Sequence, residues 1–206
     1  MGGGAKAVAG SDVAAKLAFY GLIVCWWWFG LTFWLRKHPP RAREAKRDLT
    51  SYLGLVLQAA GYFIVWYIPV RHRQISPVVS GPGWFAWLLA IVTVAVAAAS
   101  ACLVNAAARR LGKQWALAAR LVEDHTLIED GPYRFVRNPI YTGMFGMLLA
   151  TGLAVTSWIP LLAAAILFAI GTYIRIRIEE RLLRGAFGEQ FDEYARRVAA
   201  LIPGIY

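Results

Sequence analysis

Long apolar blocks alternate with short polar ones along the chain. Leu17 to Leu35 carries no charge and includes Trp26, Trp27, Trp28 and Trp34. A second block runs from Leu53 to Val70 and stops at Arg71, and a third runs from Trp84 to Ala108 and stops at Arg109 and Arg110. A helix that crosses a bilayer needs about 20 mainly apolar residues, and these blocks approach or exceed that length. The fourth block, Ile140 to Ile174, is interrupted by Ser157-Trp158-Ile159-Pro160. Proline is accepted in the first turn of a helix and breaks its interior, so this block reads as two short helices joined by a tight turn. Each is only just long enough to span, or the pair forms a hairpin. The expected fold is all-α, a polytopic membrane bundle of about five transmembrane helices. No strand pattern and no internal repeat is evident.

The first block is too long and aromatic for a signal peptide, and Arg36-Lys37-His38 follows it where a cleavage site would have small residues. The start Gly2-Gly3-Gly4 lacks the Ser or Thr of a myristoylation site, since Lys6 stands there, and reads as a flexible tail.

Composition agrees with the pattern. The chain is 59% hydrophobic and 17% charged, whereas average soluble domains are about 45–50% apolar and about 25% charged. A formal charge of +10 would by itself suggest nucleic acid. Its distribution assigns it another cause. Of the 22 basic residues, 18 fall in the loop after the first block, the loop after the third and the tail, which five spans put on one side; four fall on the other. The positive-inside rule then predicts an outside amino terminus and a cytoplasmic carboxy terminus. No nucleic-acid partner is expected. Cys25 and Cys102 lie inside apolar blocks, and His38, His72 and His125 have no metal-ligand spacing, so neither a disulfide framework nor a metal site is expected.

Polar residues gather in the loop from Arg109 to Pro139 and in the tail from Arg175, which divides the chain into residues 1–108, three spans, and 109–206, the region with candidate chemistry. The loop ends Gly131-Pro132-Tyr133-Arg134-Phe135-Val136-Arg137-Asn138-Pro139-Ile140-Tyr141-Thr142-Gly143. Gly-Pro marks a turn, and Asn-Pro sets up a helix start. Arg137 then lies at the depth of lipid headgroups or of an anionic ligand. In the tail, Arg175 and Glu179 are four apart and share a helix face. Glu179-Glu180 is the only adjacent pair of glutamates, and carboxylates close to lipid are costly unless paired or functional. The plainer reading is an interfacial helix start with an arginine anchor and a surface salt bridge. Residues 188–198 are amphipathic and fit a cytoplasmic helical cap over the bundle.

Taken in order, His125-Thr126-Leu127-Ile128, Gly131-Pro132-Tyr133, Arg137-Asn138-Pro139-Ile140-Tyr141-Thr142-Gly143, Glu179-Glu180, Phe187-Gly188 and Tyr194 resemble the isoprenylcysteine carboxyl methyltransferase family. The resemblance covers the carboxy-terminal half; the first two spans match only in character. It implies an integral membrane methyltransferase that uses S-adenosylmethionine and acts on a lipophilic acceptor arriving from the bilayer. It also implies that His125, Thr126, Leu127, Ile128, Tyr133, Arg137, Asn138, Pro139, Ile140, Tyr141 and Glu179 contact the cofactor, and that Arg175 serves the acceptor. Two departures stand out. Asn138 replaces the family's usual histidine and cannot titrate near neutral pH, although it still donates and accepts hydrogen bonds. A glutamine expected shortly before His125 is replaced by Ala118.

Displacement from a sulfonium by a carboxylate or thiolate needs no general base, so positioning and exclusion of water carry most of the catalysis. Arg175 suits a bidentate grip on an acceptor carboxylate, with Glu179 toward the cofactor. A phospholipid amine is the alternative acceptor, and Glu180 would then take the amine proton. Two further classes compete with methyl transfer. One is an NADPH-dependent sterol-type reductase, which shares a similar carboxy-terminal motif, and the second is a non-enzymatic membrane scaffold.

Overall fold

A computed structural model describes residues 2–34, 44–47, 50–72, 83–114, 120–122 and 126–204. Among them are helices α1 (Gly2–Trp34), α2 (Ser51–His72), α3 (Gly83–Leu111), α4 (Pro139–Val155), α5 (Trp158–Phe187) and α6 (Glu189–Arg197). Strands β1 (Glu44–Arg47) and β2 (Arg120–Val122) pair antiparallel, with Arg47 opposite Arg120. By length and composition α1, α3 and α5 are able to cross a membrane, and α2 and α4 contain shorter apolar helices.

Shared contacts fix the helix directions. Ala14 and Ala18 of α1 cluster with Ala86 and Ala90 of α3, Leu22 and Cys25 cluster with Ala97, and Asn105 Nδ2 donates to Thr32 Oγ1 at 2.9 Å. The positions rise together, so α1 and α3 run parallel. Gly143 and Gly146 of α4 face Val104 and Ser100 of α3, and Gly54 and Gly61 of α2 face Arg175 and Ala164 of α5, so both pairs are antiparallel. Successive helices therefore alternate in direction. The segments that follow α1 and α3, and the carboxy-terminal residues, emerge at one end of the bundle. The β1–β2 ribbon joins the first two of these segments. Four and three residues are too few to show a strand period, so the ribbon was not legible in the sequence.

Lipid gives helices no hydrophobic reason to associate, so close approach through small residues and buried hydrogen bonds does that work. The glycines above sit at the crossings. Trp26 Nε1 donates to Thr151 Oγ1 at 3.0 Å, Gln58 Nε2 to Thr172 Oγ1 at 2.8 Å, and the Tyr62 hydroxyl to the Met144 carbonyl at 2.7 Å. Outward positions such as Leu17, Val24, Trp27, Ile91 and Ile166 remain exposed at the surface lipid would cover.

One expectation changes and one holds. The amino-terminal residues are helical from Gly2 rather than a flexible tail, continuous with the rest of α1 despite the low helix propensity of Gly2, Gly3 and Gly4. The fifth helix carries straight on from its apolar segment into the polar tail, as expected. It continues past the apolar block to Phe187, 30 residues in all, about 45 Å, because Arg, Glu and Leu are good helix formers. It ends at Gly188, whose φ of +52° suits glycine. The turn before it holds, with Pro160 in the first turn after the Ser157 cap. At 17 residues, α4 reaches about 25 Å and stays close to the minimum for a span.

Candidate functional site

The turn Gly131–Arg134 and the start of α4 place the motif. Gly131 has a φ of +60°, which lets the chain reverse into the short helical turn that Pro132 begins. Asn138 caps α4 and Pro139 fills its first position. The motif then binds the carboxy-terminal residues along its length. Arg137 N donates to Ala199 O at 2.8 Å and Asn138 N to Ala200 O at 3.1 Å. The Asn138 amide also donates to Ala200 O, at 3.1 Å, and Thr142 Oγ1 donates to Leu201 O at 2.8 Å.

A cleft opens beside this junction. It is lined by Thr126, Leu127, Ile128, Tyr133, Arg137 and Asn138 from the loop, by Glu180 and Leu183 of α5, by Phe191 and Tyr194 of α6, and by Leu111. Phe191, Tyr194 and Val198 form the apolar face of the α6 segment and pack with Leu127, Leu183 and Phe187. The Tyr194 hydroxyl donates to Tyr133 O at 2.7 Å, and burial pushes its pKa well above the ordinary value, so it stays a donor. Tyr194→Phe leaves that carbonyl without its partner. The expected cost is about 1–3 kcal/mol of stability, measurable as a lower thermal midpoint of the purified protein.

Arg137 faces the cleft but is already engaged. Its Nε donates to Glu180 Oε1 at 2.9 Å, with both side chains mostly buried. Its Nη1 donates to Ala195 O at 2.9 Å and also to Val198 O.

The two adjacent glutamates part company. Glu180 turns to Arg137 at the cleft, and Glu179 turns to a second cluster between α4 and α5. There the buried Arg175 donates through Nε to the Tyr141 hydroxyl at 2.8 Å and through Nη2 to Glu179 Oε1 at 3.5 Å. The Tyr141 hydroxyl donates to the same carboxylate oxygen, and the guanidinium lies 5.3 Å from the Tyr141 ring centre. The absence of a side chain at Gly54 lets Arg175 lie against α2, since a Cβ there would sit 2.5 Å from Arg175 Cγ.

Of the residues singled out in the sequence, Thr126, Leu127, Ile128, Tyr133, Arg137, Asn138 and Glu180 line the cleft, while Tyr141, Arg175 and Glu179 form the buried cluster. Pro139 and Ile140 lie in the first turn of α4 and do not line the cleft. His125 and Ala118 lie outside the described residues. The sequence pattern did not single out Gln114. Its amide holds Thr126 at both ends, with Nε2 donating to Thr126 Oγ1 at 2.8 Å and Oε1 accepting from Thr126 N at 3.1 Å. Nor did it mark Leu111, Leu183 and Phe191 as lining residues. The apolar spacing of Phe191, Tyr194 and Val198 was the available signal.

This is a polytopic α-helical membrane protein whose polar residues collect in a cleft and a buried cluster at one end of the bundle. The chain belongs to the phospholipid methyltransferase family, whose model matches residues 88–190. Its carboxy-terminal half is similar to a protein-S-isoprenylcysteine O-methyltransferase of Schizosaccharomyces pombe, 31% identical over 87 residues, 42% of this chain and 37% of that one. A protein-S-isoprenylcysteine O-methyltransferase B of Arabidopsis thaliana is 34% identical over 86 residues, 41% of this chain and 43% of the other. A cobalt-zinc-cadmium resistance protein of Cupriavidus metallidurans is 36% identical over 94 residues, 45% of this chain and 43% of the other. Each match spans less than half of the relative's length. In fold the chain resembles the eukaryotic intramembrane Ras methyltransferase, an isoprenylcysteine carboxyl methyltransferase. The TM-score is 0.55 at 22% identity, covering 78% of this chain and 55% of that one. The resemblance first seen in the motifs is thereby borne out.

Proposed function

We propose that the protein is an integral membrane methyltransferase that moves a methyl group from S-adenosylmethionine to the carboxylate of an isoprenylcysteine-like acceptor, with the site facing the cytoplasm. The observation that carries this reading is the pairing of a polar-rimmed cleft with the buried Tyr141–Arg175–Glu179 cluster, both within the family-matched region or beside it. The curated relatives named as isoprenylcysteine O-methyltransferases support the acceptor class. The excess of basic residues in the segments at the site end supports the orientation.

The cleft's chemistry fits a zwitterionic nucleoside. Phe191, Tyr133 and Tyr194 offer flat apolar surface, Asn138 an amide, and Thr126 to Ile128 a stretch of irregular backbone. These residues, with Glu180 at the rim, would hold S-adenosylmethionine, which when bound supplies an electrophilic methyl group on a sulfonium. Arg137 keeps Glu180 and the carboxy-terminal segment in place and so acts as a positioning residue. Arg175 offers a guanidinium already fixed by Tyr141 and Glu179. An acceptor carboxylate that arrives there would take the place of Glu179 on the same donors, and the guanidinium is already aimed at that position. A carboxylate attacks without losing a proton, so none of these groups has to act as a base.

Purified protein would be given S-adenosylmethionine with a labelled methyl group, together with either a farnesylated cysteine bearing a free carboxylate or vesicles of phosphatidylethanolamine. Base-labile ester label on the cysteine analogue is expected. Label only in the lipid amine would overturn the carboxylate reading in favour of N-methylation. Failure of well-folded protein to bind S-adenosylhomocysteine would overturn both.

A further inference from the structure

The face of α5 turned away from Arg175 and Glu179 changes character along its length. Leu162, Ile166, Ile170 and Tyr173 are 64%, 52%, 48% and 61% exposed, and Arg177 and Arg181 continue the same outward stripe as exposed residues. The spacing of three and four residues keeps all six on one face. Trp158, 62% exposed, begins the helix. From Trp158 to Arg177 the rise is about 28 Å, close to the roughly 30 Å of a hydrocarbon core. Tyr173 then lies where aromatic side chains mark the membrane–water interface. Arg177 lies over it, 5.8 Å from its ring centre. Arg177 and Arg181 therefore stand at headgroup depth.

Of the two acidic residues of α5, Glu179 points the other way, and Glu180, a neighbour of Arg177 at three residues' spacing, is already turned to the cleft. Glu179 is taken by Arg175 and Tyr141, and Glu180 by Arg137. Arg184, one turn further, is paired with Asp192 at 2.7 Å. Among the described residues no carboxylate pairs with Arg177 or Arg181. Two like charges four apart on a helix repel each other, and an anion between them reverses the sign of that interaction.

We infer that Arg177 and Arg181 form a binding surface for the headgroups of anionic phospholipids in the leaflet on the site's side. Tyr173 holds Arg177 at the right depth, and the apolar stripe above it accommodates the acyl chains. Charge complementarity selects the lipid class. A zwitterionic headgroup brings its own cation to offset the phosphate, whereas phosphatidylglycerol brings net negative charge. This surface lies on the opposite side of α5 from Arg175 and Glu179, so it is separate from the proposed acceptor site and does not depend on the methyltransferase reading.

Native mass spectrometry of the full chain, released from micelles holding equal phosphatidylglycerol and phosphatidylcholine, would test it. The wild-type protein is expected to retain phosphatidylglycerol preferentially. At about fivefold per arginine, the preference is on the order of 30-fold. Arg177→Gln with Arg181→Gln should reduce the preference to near unity, whereas Arg184→Gln should keep it. Helical content by circular dichroism would show that the variants are folded. Equal retention of the two lipids by wild-type protein, or an undiminished preference in the double variant, would overturn the inference. So would full displacement of the lipid by millimolar inorganic phosphate, which would mark a soluble-anion site instead.

Discussion

Arg175→Met is expected to lower kcat/KM for methyl transfer by at least about 100-fold, the range seen when a fixed donor to a reacting group is removed. Arg175 is 4% exposed, and it holds Tyr141 and Glu179 together. The substitution therefore also leaves the part-buried Glu179 carboxylate without its cation, at a cost below the roughly 3–5 kcal/mol of a fully buried pair. The two effects are separable. The double variant Arg175→Met with Glu179→Gln carries no unpaired charge, so its thermal midpoint should recover most of the loss while activity stays at the lowered level. If activity returned with stability, Arg175 would be a structural residue only. Arg175→Lys keeps the charge but cannot reach Tyr141 and Glu179 with one planar fork, and it should fall between the two.

Gly171→Leu should remove both folded protein and activity. Gly171 lies one turn before Arg175 where α5 crosses α2. Even a Cβ there would sit 2.6 Å from the Gly54 carbonyl, 2.9 Å from Leu57 Cβ and 3.0 Å from Gln58 N. Two of these neighbours are backbone, so the helices must part rather than a side chain turn aside. Overpacking of this sort costs about 1–3 kcal/mol and sometimes more, and the displaced α2 would also lose its fit to Arg175. Gly185→Ala is the control, since nothing lies within 4 Å of a Cβ there. A gain of about 0.4–1 kcal/mol is expected from the less flexible unfolded chain. Thermal unfolding and methyl incorporation on the same preparations would check both. Wild-type behaviour of Gly171→Leu would mean that α2 and α5 do not cross as described.

The helices were legible because lipid imposes a length and a composition on each span. The apolar blocks appear as α1, α2, α3 and the α4–α5 turn, with Arg109 and Arg110 in the last turn of α3 and Pro160 where a first-turn proline belongs. The motif around Asn138-Pro139 was legible for a similar reason, since proline and glycine punctuate the backbone locally. The ribbon joining β1 to β2 was not, because each strand is too short for a period. Gln114 was not, because a single glutamine in a polar loop carries no pattern; only its two hydrogen bonds to Thr126 reveal its role.

Glu179 and Glu180 mark where sequence stops and structure begins. Their adjacency near the membrane surface singled them out. Adjacent positions on a helix point about 100° apart, so the pair was bound to divide. Which partner each would meet depended on how α4 and α5 pack, and that is decided by small residues at crossings distant in the chain. By itself the sequence determined a membrane helix bundle and the grouping of its polar residues, because hydrophobic length and charge act locally along the chain. Only the tertiary structure decided that Arg175 joins Tyr141 to Glu179 and that Arg137 joins Glu180 to the carboxy-terminal segment. Those contacts link residues whose pairing no local pattern encodes.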